Sequence, residues 1–189
     1  VVIRPWGPRD LCYRWPYYFS DSEVRNIKRV AYAQNIAGLA DKVIKSHDSD
    51  VALICMEKVD ENIARNILGL MRYPERARIF SSGKYNVDFM TSLLRKLSLL
   101  LTSRYHASLL SLESLVPQIA IGHDLRLQNL YGELGLEEYF FRAGESILWE
   151  ELDSKLEKLL SDPEEQKERL RRELPDQKDR AKRNRRLLE

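Results

Sequence analysis

Apolar residues along this chain alternate between short unbroken runs and longer stretches in which they recur every third or fourth position, a pattern that predicts strands and helices in turn. Val1 to Arg4 reads as a buried strand, stopped by Pro5-Trp6-Gly7-Pro8, and a loop rich in Trp and Tyr runs on to Phe19. Ser20-Asp21-Ser22-Glu23 has the Ser-x-x-Glu spacing of a capping box. Val24, Ile27, Val30, Ala31, Ile36, Leu39, Val43 and Ile44 then follow at helical period as a long amphipathic helix. Val51 to Met56 predicts a strand covered on both faces. Asp60 is placed to cap a helix running to Leu70, with Ile63, Ile67, Leu68 and Met71 on its buried stripe. Arg78-Ile79-Phe80 is a weaker strand, Val87 to Leu97 a helix, and Leu99 to Thr102 the next strand, with the boundary between the last two left open.

From Arg104 to Leu115 the residues are small or apolar at nearly every turn, as in a buried helix, and Pro117 is expected to stop it. Gln118 to Gly122 reads as a strand, Leu125 to Leu134 as a helix closed by Gly135, and Ser146 to Leu160 as another helix. Strands and helices alternating at this spacing predict an α/β fold, a Rossmann-like doubly wound parallel sheet over residues 1–160. Beyond it, residues 161–189 form a charged helical tail that Pro163 and Pro175 should break into short pieces. Either the tail is solvated, or Leu170, Leu174, Leu187 and Leu188 dock it on another body while Lys182-Arg183-Asn184-Arg185-Arg186 meets an anionic surface.

Composition narrows the function classes. The chain has 189 residues, 43% of them hydrophobic and 32% charged, the balance of a globular domain with its own core. Its formal net charge of +2 argues against a dedicated nucleic-acid binder, so no nucleic acid is expected among its partners. Cys12 and Cys55 stand apart, without metal spacing, which supports neither a disulfide framework nor a zinc site and suits the cytoplasm. The apolar runs are too short for a membrane span. An opening Val1-Val2-Ile3 that reads as a buried strand suggests preceding sequence, so an N-terminal domain is expected as a partner of this one.

In an open parallel sheet, ligands bind beyond the carboxyl ends of the strands. Arg4, the run Ser103-Arg104-Tyr105-His106, and His123-Asp124 all fall at such ends. Ser103 is placed to cap the helix that follows, which would set free N–H groups and the positive helix end beside Arg104 and His106. Arg104 can grip a carboxylate or phosphate through two parallel hydrogen bonds, and His106 can move a proton near neutral pH. The bland alternative is a surface arginine and a structural histidine, and Arg4 can be an ordinary strand terminus. Trp6, Trp15, Tyr17, Tyr18 and Tyr105 can stack on sugar rings or pin a loop to the core. Asp124 can face the cleft or cap the next helix. The signatures of P-loop nucleotide hydrolases, dinucleotide oxidoreductases, serine hydrolases and zinc proteases are absent.

Thr102-Ser103-Arg104-Tyr105-His106-Ala107, Leu115-Val116-Pro117-Gln118-Ile119-Ala120-Ile121, Asp124 with Arg126, Leu134-Gly135-Leu136 and Ile3-Arg4-Pro5-Trp6 together resemble the C-terminal domain of polysaccharide pyruvyl transferases. Asp60 also falls where that family commonly has an Asp, whereas His123 and the charge of the tail depart from its pattern. The resemblance covers roughly Val1 to Phe141 and implies one half of a two-domain fold like that of GT-B glycosyltransferases. It implies no cofactor, phosphoenolpyruvate as co-substrate, and a sugar or lipid-linked glycan as acceptor. Pyruvate would be transferred as a ketal during polysaccharide biosynthesis for the cell envelope, in the cytoplasm or at the inner face of the membrane. Arg4 and Arg104 would hold the carboxylate and phosphate, His106 would be the general acid or base, and Ser103, Asp124 and Arg126 would contact substrate. The alternatives are a GT-B-type glycosyltransferase using a nucleotide sugar and a non-catalytic assembly domain; the oligomeric state, a homo-oligomer included, is left open.

Overall fold

The computed structural model describes residues 22–122, 124–142 and 149–186, with side chains over 30–122, 124–142 and 149–175. The expected strand at Val1–Arg4, the aromatic loop after it and Ser20 of the capping box lie outside the described residues, as does His123. The described chain is a mixed α/β protein with small parallel sheets, and it divides into two compact units, the first running to Asn86 and the second beginning at Val87.

In the first unit, helix α1 (Ser22–His47) precedes strand β1 (Val51–Cys55), helix α2 (Glu61–Leu70) and strand β2 (Ala77–Ser81). The two strands pair in parallel, from Val51 opposite Ala77 to Cys55 opposite Ser81, the arrangement that the intervening helix makes possible. Small residues set how α1 packs. Ala33, Ala37 and Ala40 are buried with Ile36 and Ile44, a stripe at helical period, and α1 lies against α2. The turn after α2 is held from α1: the Asp41 carboxylate accepts from the backbone N–H groups of Arg72 and Tyr73 at 2.9 and 3.2 Å. Arg76 braces the entry to β1 through Asp48 and Asp50.

The second unit contains helix α3 (Val87–Arg95), strand β3 (Leu100–Thr102), helix α4 (Tyr105–Leu112), strand β4 (Gln118–Gly122), helix α5 (Leu125–Glu133), strand β5 (Phe140–Arg142), helix α6 (Trp149–Ser161) and helix α7 (Glu164–Arg186). All three strands run parallel with β4 in the centre, and every residue of β4 is buried. This explains its near-continuous apolar sequence.

Several boundaries differ from expectation. Helix α4 ends at Leu112, well before Pro117, because Leu115 takes a left-handed conformation (φ 54°). There the N–H groups of Leu115 and Val116 turn back onto the carbonyls of Leu112 and Ser111. Helix α5 closes the same way at Gly135 (φ 62°), with Leu136 buried behind it, as the glycine predicted. Strand β5 was not anticipated. Pro163 does separate α6 from α7, but Pro175 does not end α7. A proline removes one backbone donor, and the carbonyl it would have met belongs to Arg171 on an exposed turn, where water can replace the bond.

Nor is the charged segment simply solvated. Gln166 and Leu170 are fully buried, and the Gln166 amide pairs with both backbone groups of Gln118: its Oε1 accepts from the N–H at 2.7 Å and its Nε2 donates to the carbonyl at 3.1 Å. The β4–β5 pairing begins only at Ala120 opposite Phe140, so at Gln118 a side chain from α7 takes the part of a neighbouring strand. Around it, Lys155, Lys158, Glu138, Glu165 and Arg169 form a network of ion pairs joining α6, α7 and the turn before β5.

Candidate functional site at the carboxyl edge of the second sheet

Strands β3 and β4 deliver their following turns to one edge of the sheet. After β3, the buried Thr102 hydroxyl organises the turn: its Oγ1 accepts from the Arg104 N–H at 3.0 Å and donates to the Arg104 carbonyl at 3.3 Å. Arg104, not Ser103, occupies the N-cap position of α4, and the Arg104 side chain makes no cap bond. The cap position expected at Ser103 thus falls one residue later, after a Thr102-centred turn. Arg104 and Tyr105 are half-buried and His106 is exposed on the first turn of α4.

After β4, Asp124 caps α5, one of the two readings open to it, accepting from the Arg126 N–H at 2.9 Å. The same carboxylate holds the Arg126 side chain, through Nε at 3.1 Å and Nη2 at 2.7 Å. That pair raises the arginine's already high pKa. The Arg126 guanidinium in turn lies over the Tyr105 ring, 5.3 Å from its centroid, and the Tyr105 and His106 rings meet in a T-shaped arrangement with centroids 5.5 Å apart. Tyr105 thereby ties the two turns together, so Arg104, Tyr105, His106, Asp124 and Arg126 belong to one constellation. Arg4 lies outside the described residues, and nothing places it here.

The constellation carries two arginines, one carboxylate and a histidine, without a core around them. Arginines suit a small anion and a histidine suits proton transfer, so these residue types are those of an anion-handling site. Among the described residues no group of His, Cys, Asp or Glu is arranged to hold a metal ion, and no helix is long and apolar enough to cross a membrane.

The carboxyl edge of the first unit's sheet has a different character. Ser81-Ser82-Gly83-Lys84 after β2 invites comparison with phosphate-binding turns, and sequence reasoning passed over it. The structure disposes of that comparison. Ser82 N–H goes to the Cys55 carbonyl, Gly83 N–H to Ser81 Oγ, and the Lys84 and Tyr85 N–H groups to the Ser81 carbonyl, which leaves no cradle of donors. Ser81 also donates to Glu61 at 2.7 Å, and with Arg65 beside it this holds the Glu61 carboxyl below its usual range. Asp60, fully buried at the start of α2, turns its carboxylate back to the Glu57 N–H at 3.1 Å and makes no cap bond to the helix.

Comparisons with protein-family models, with curated proteins and with solved structures find no match to this chain.

Proposed function

We propose that this chain carries the donor side of a polysaccharide pyruvyl transferase, a Rossmann-like half of a GT-B-type fold, in the cytoplasm or at the inner face of the membrane. The supporting observation is the Tyr105–Arg126 contact, which brings the Arg104–His106 turn and the Asp124–Arg126 turn to one sheet edge. Phosphoenolpyruvate carries a carboxylate and a phosphate on one small frame, and two arginines on adjacent turns suit such a pair of anions. In this reading Arg104 and Arg126 hold the donor, Ser103 lines the turn, and Asp124 keeps Arg126 oriented until ligand arrives.

The chemistry then falls to His106. Protonating the methylene carbon of the enol phosphate makes the neighbouring carbon electron-poor, and one sugar hydroxyl adds there. Phosphate leaves with the arginines balancing its charge, and a second hydroxyl of the same sugar closes the ketal. Of the two hydroxyl protons released, one restores the histidine and the other departs with phosphate. No redox step or cofactor enters this balance.

Calorimetry with phosphoenolpyruvate tests the reading. Saturable heat from the native chain and its loss in Arg104→Ala are expected. The absence of any heat, or an unchanged isotherm in Arg104→Ala, overturns it. A parallel titration with a uridine diphosphate sugar separates the nucleotide-sugar alternative, which predicts heat there and none with phosphoenolpyruvate.

A further inference from the structure

The buried polar groups of the second unit form a connected path that ends at the candidate site. Gln166 on α7 holds both backbone groups of Gln118. The Gln118 side chain, fully buried, accepts through Oε1 from the Ser108 hydroxyl at 2.5 Å and from the Tyr131 hydroxyl at 3.3 Å. Burial pushes the Tyr131 phenol well above its ordinary pKa, so it remains a donor at any working pH. Ser108 lies on α4, and its N–H donates to the Arg104 carbonyl at 3.1 Å, the same carbonyl that receives the Thr102 hydroxyl. The links through Gln166, Gln118, Ser108 and Tyr131 are buried hydrogen bonds, where a misplaced partner leaves a polar group unpaired, and the last step reaches the half-buried turn at Arg104.

We propose that Gln166 is a positioning residue for the Arg104–His106 turn, acting through Gln118 and Ser108. Without Gln166 the backbone of Gln118 loses both partners that α7 supplies, at the end of β4 that the β5 ladder does not reach, and the position of Gln118 is less tightly held. Ser108 is tied to the side chain of that residue, so α4 follows, and with it the first turn that carries His106. The charged helix that opens with Glu164 is on this account a brace for the site rather than an appendage. Its consequence for ligand binding rests on the function proposed above; the positioning itself does not.

The test uses the full chain. The ring resonances of His106, assigned by comparison with His106→Gln, are recorded for the native protein, for Gln166→Met, which keeps length and removes both hydrogen bonds, and for Ser108→Ala, which cuts the path while leaving α7 docked. Both variants are expected to move the His106 resonances and to leave those of His47, in the first unit, in place. Phosphoenolpyruvate affinity should fall roughly threefold or more in each, the scale that buried networks transmit. His106 resonances unmoved in either folded variant overturn the proposal, and Ser108→Ala decides if Gln166→Met does not fold. If His106 moves but the native chain shows no heat with phosphoenolpyruvate, the positioning stands and the donor assignment fails.

Discussion

Leu170 sits in the most charged stretch of the chain and is nevertheless fully buried, which makes Leu170→Ala a direct test of whether α7 belongs to the second unit. The substitution removes the equivalent of three methylene groups, about 2.4 kcal/mol of transfer free energy at ~0.8 kcal/mol each. A cavity term adds to this, because neighbours such as Gln166 are fixed by hydrogen bonds and cannot collapse inward; the total is about 3 kcal/mol, within the span of buried leucine truncations. For a chain of this size that lowers Tm by roughly 6–12 °C. Because the chain divides into two compact units, the decisive assay is hydrogen exchange read peptide by peptide. Protection should fall in β4 and α7 together, while β1 and β2 keep theirs. Arg172→Ala on the same helix, with its side chain 72% exposed, is the control and should cost under about 0.5 kcal/mol. Equal effects from the two substitutions would refute the docking of α7.

Leu115→Gly should raise stability by up to about 1 kcal/mol, since a left-handed leucine is strained where glycine is not; a melting curve that falls would show that the half-buried leucine contributes more by packing. Asp124→Ala removes the α5 cap and should cost about 1 kcal/mol, yet it also takes a negative charge from Arg126, so phosphoenolpyruvate binding should tighten by up to about fivefold; weaker binding would show that Asp124 itself meets the ligand. The Glu138 carboxyl is held below its usual range, first by Lys155 and also by Arg169. A depressed folded-state pKa contributes stability above the unfolded value of roughly 4.3, and this is lost as pH falls through the lower folded value. Protection of α7 in hydrogen exchange should therefore decline in that acid window, and Glu138→Gln should flatten the decline.

How much of this was legible beforehand depends on the range of the interaction concerned. Helices α1, α2, α3 and α5 and the strands β1 and β4 declare themselves through local period and composition, because burial on one face or two is written directly into residue order. Gly135 is likewise local: the left-handed close of α5 needs only the residue that tolerates it. The misses share a different cause. Strand β5 is too short to show a period and exists through its register with Ala120, Ile121 and Gly122, a partner distant in sequence. The end of α4 came from a leucine in a conformation that nothing in its identity announces. At the candidate site, residue type and strand-end position were enough to single out Arg104, His106 and Asp124, whereas Arg126 came only with the family resemblance; of the two readings open to Asp124, the structure shows the helix cap. What joins them is the Tyr105 ring under Arg126, a contact across two turns that only folding can make.

Gln118 and Gln166 mark the limit most clearly, since a glutamine opening an apolar strand and another in a run of Glu, Lys and Arg each look unremarkable alone. In a dry interior a buried amide needs partners, and the Gln166 amide finds both of its own on the backbone of Gln118, which explains the burial of a glutamine in so charged a run. The charge of α7 disguised this, because composition averages over faces while docking uses only one. Glu164, Glu165, Glu168 and Arg171 remain exposed while Gln166 and Leu170, one turn apart, point inward. Among its described side chains, over residues 164–175, the helix buries only Gln166 and Leu170, so its hydrogen bonds to Gln118 weigh heavily in setting its register against β4.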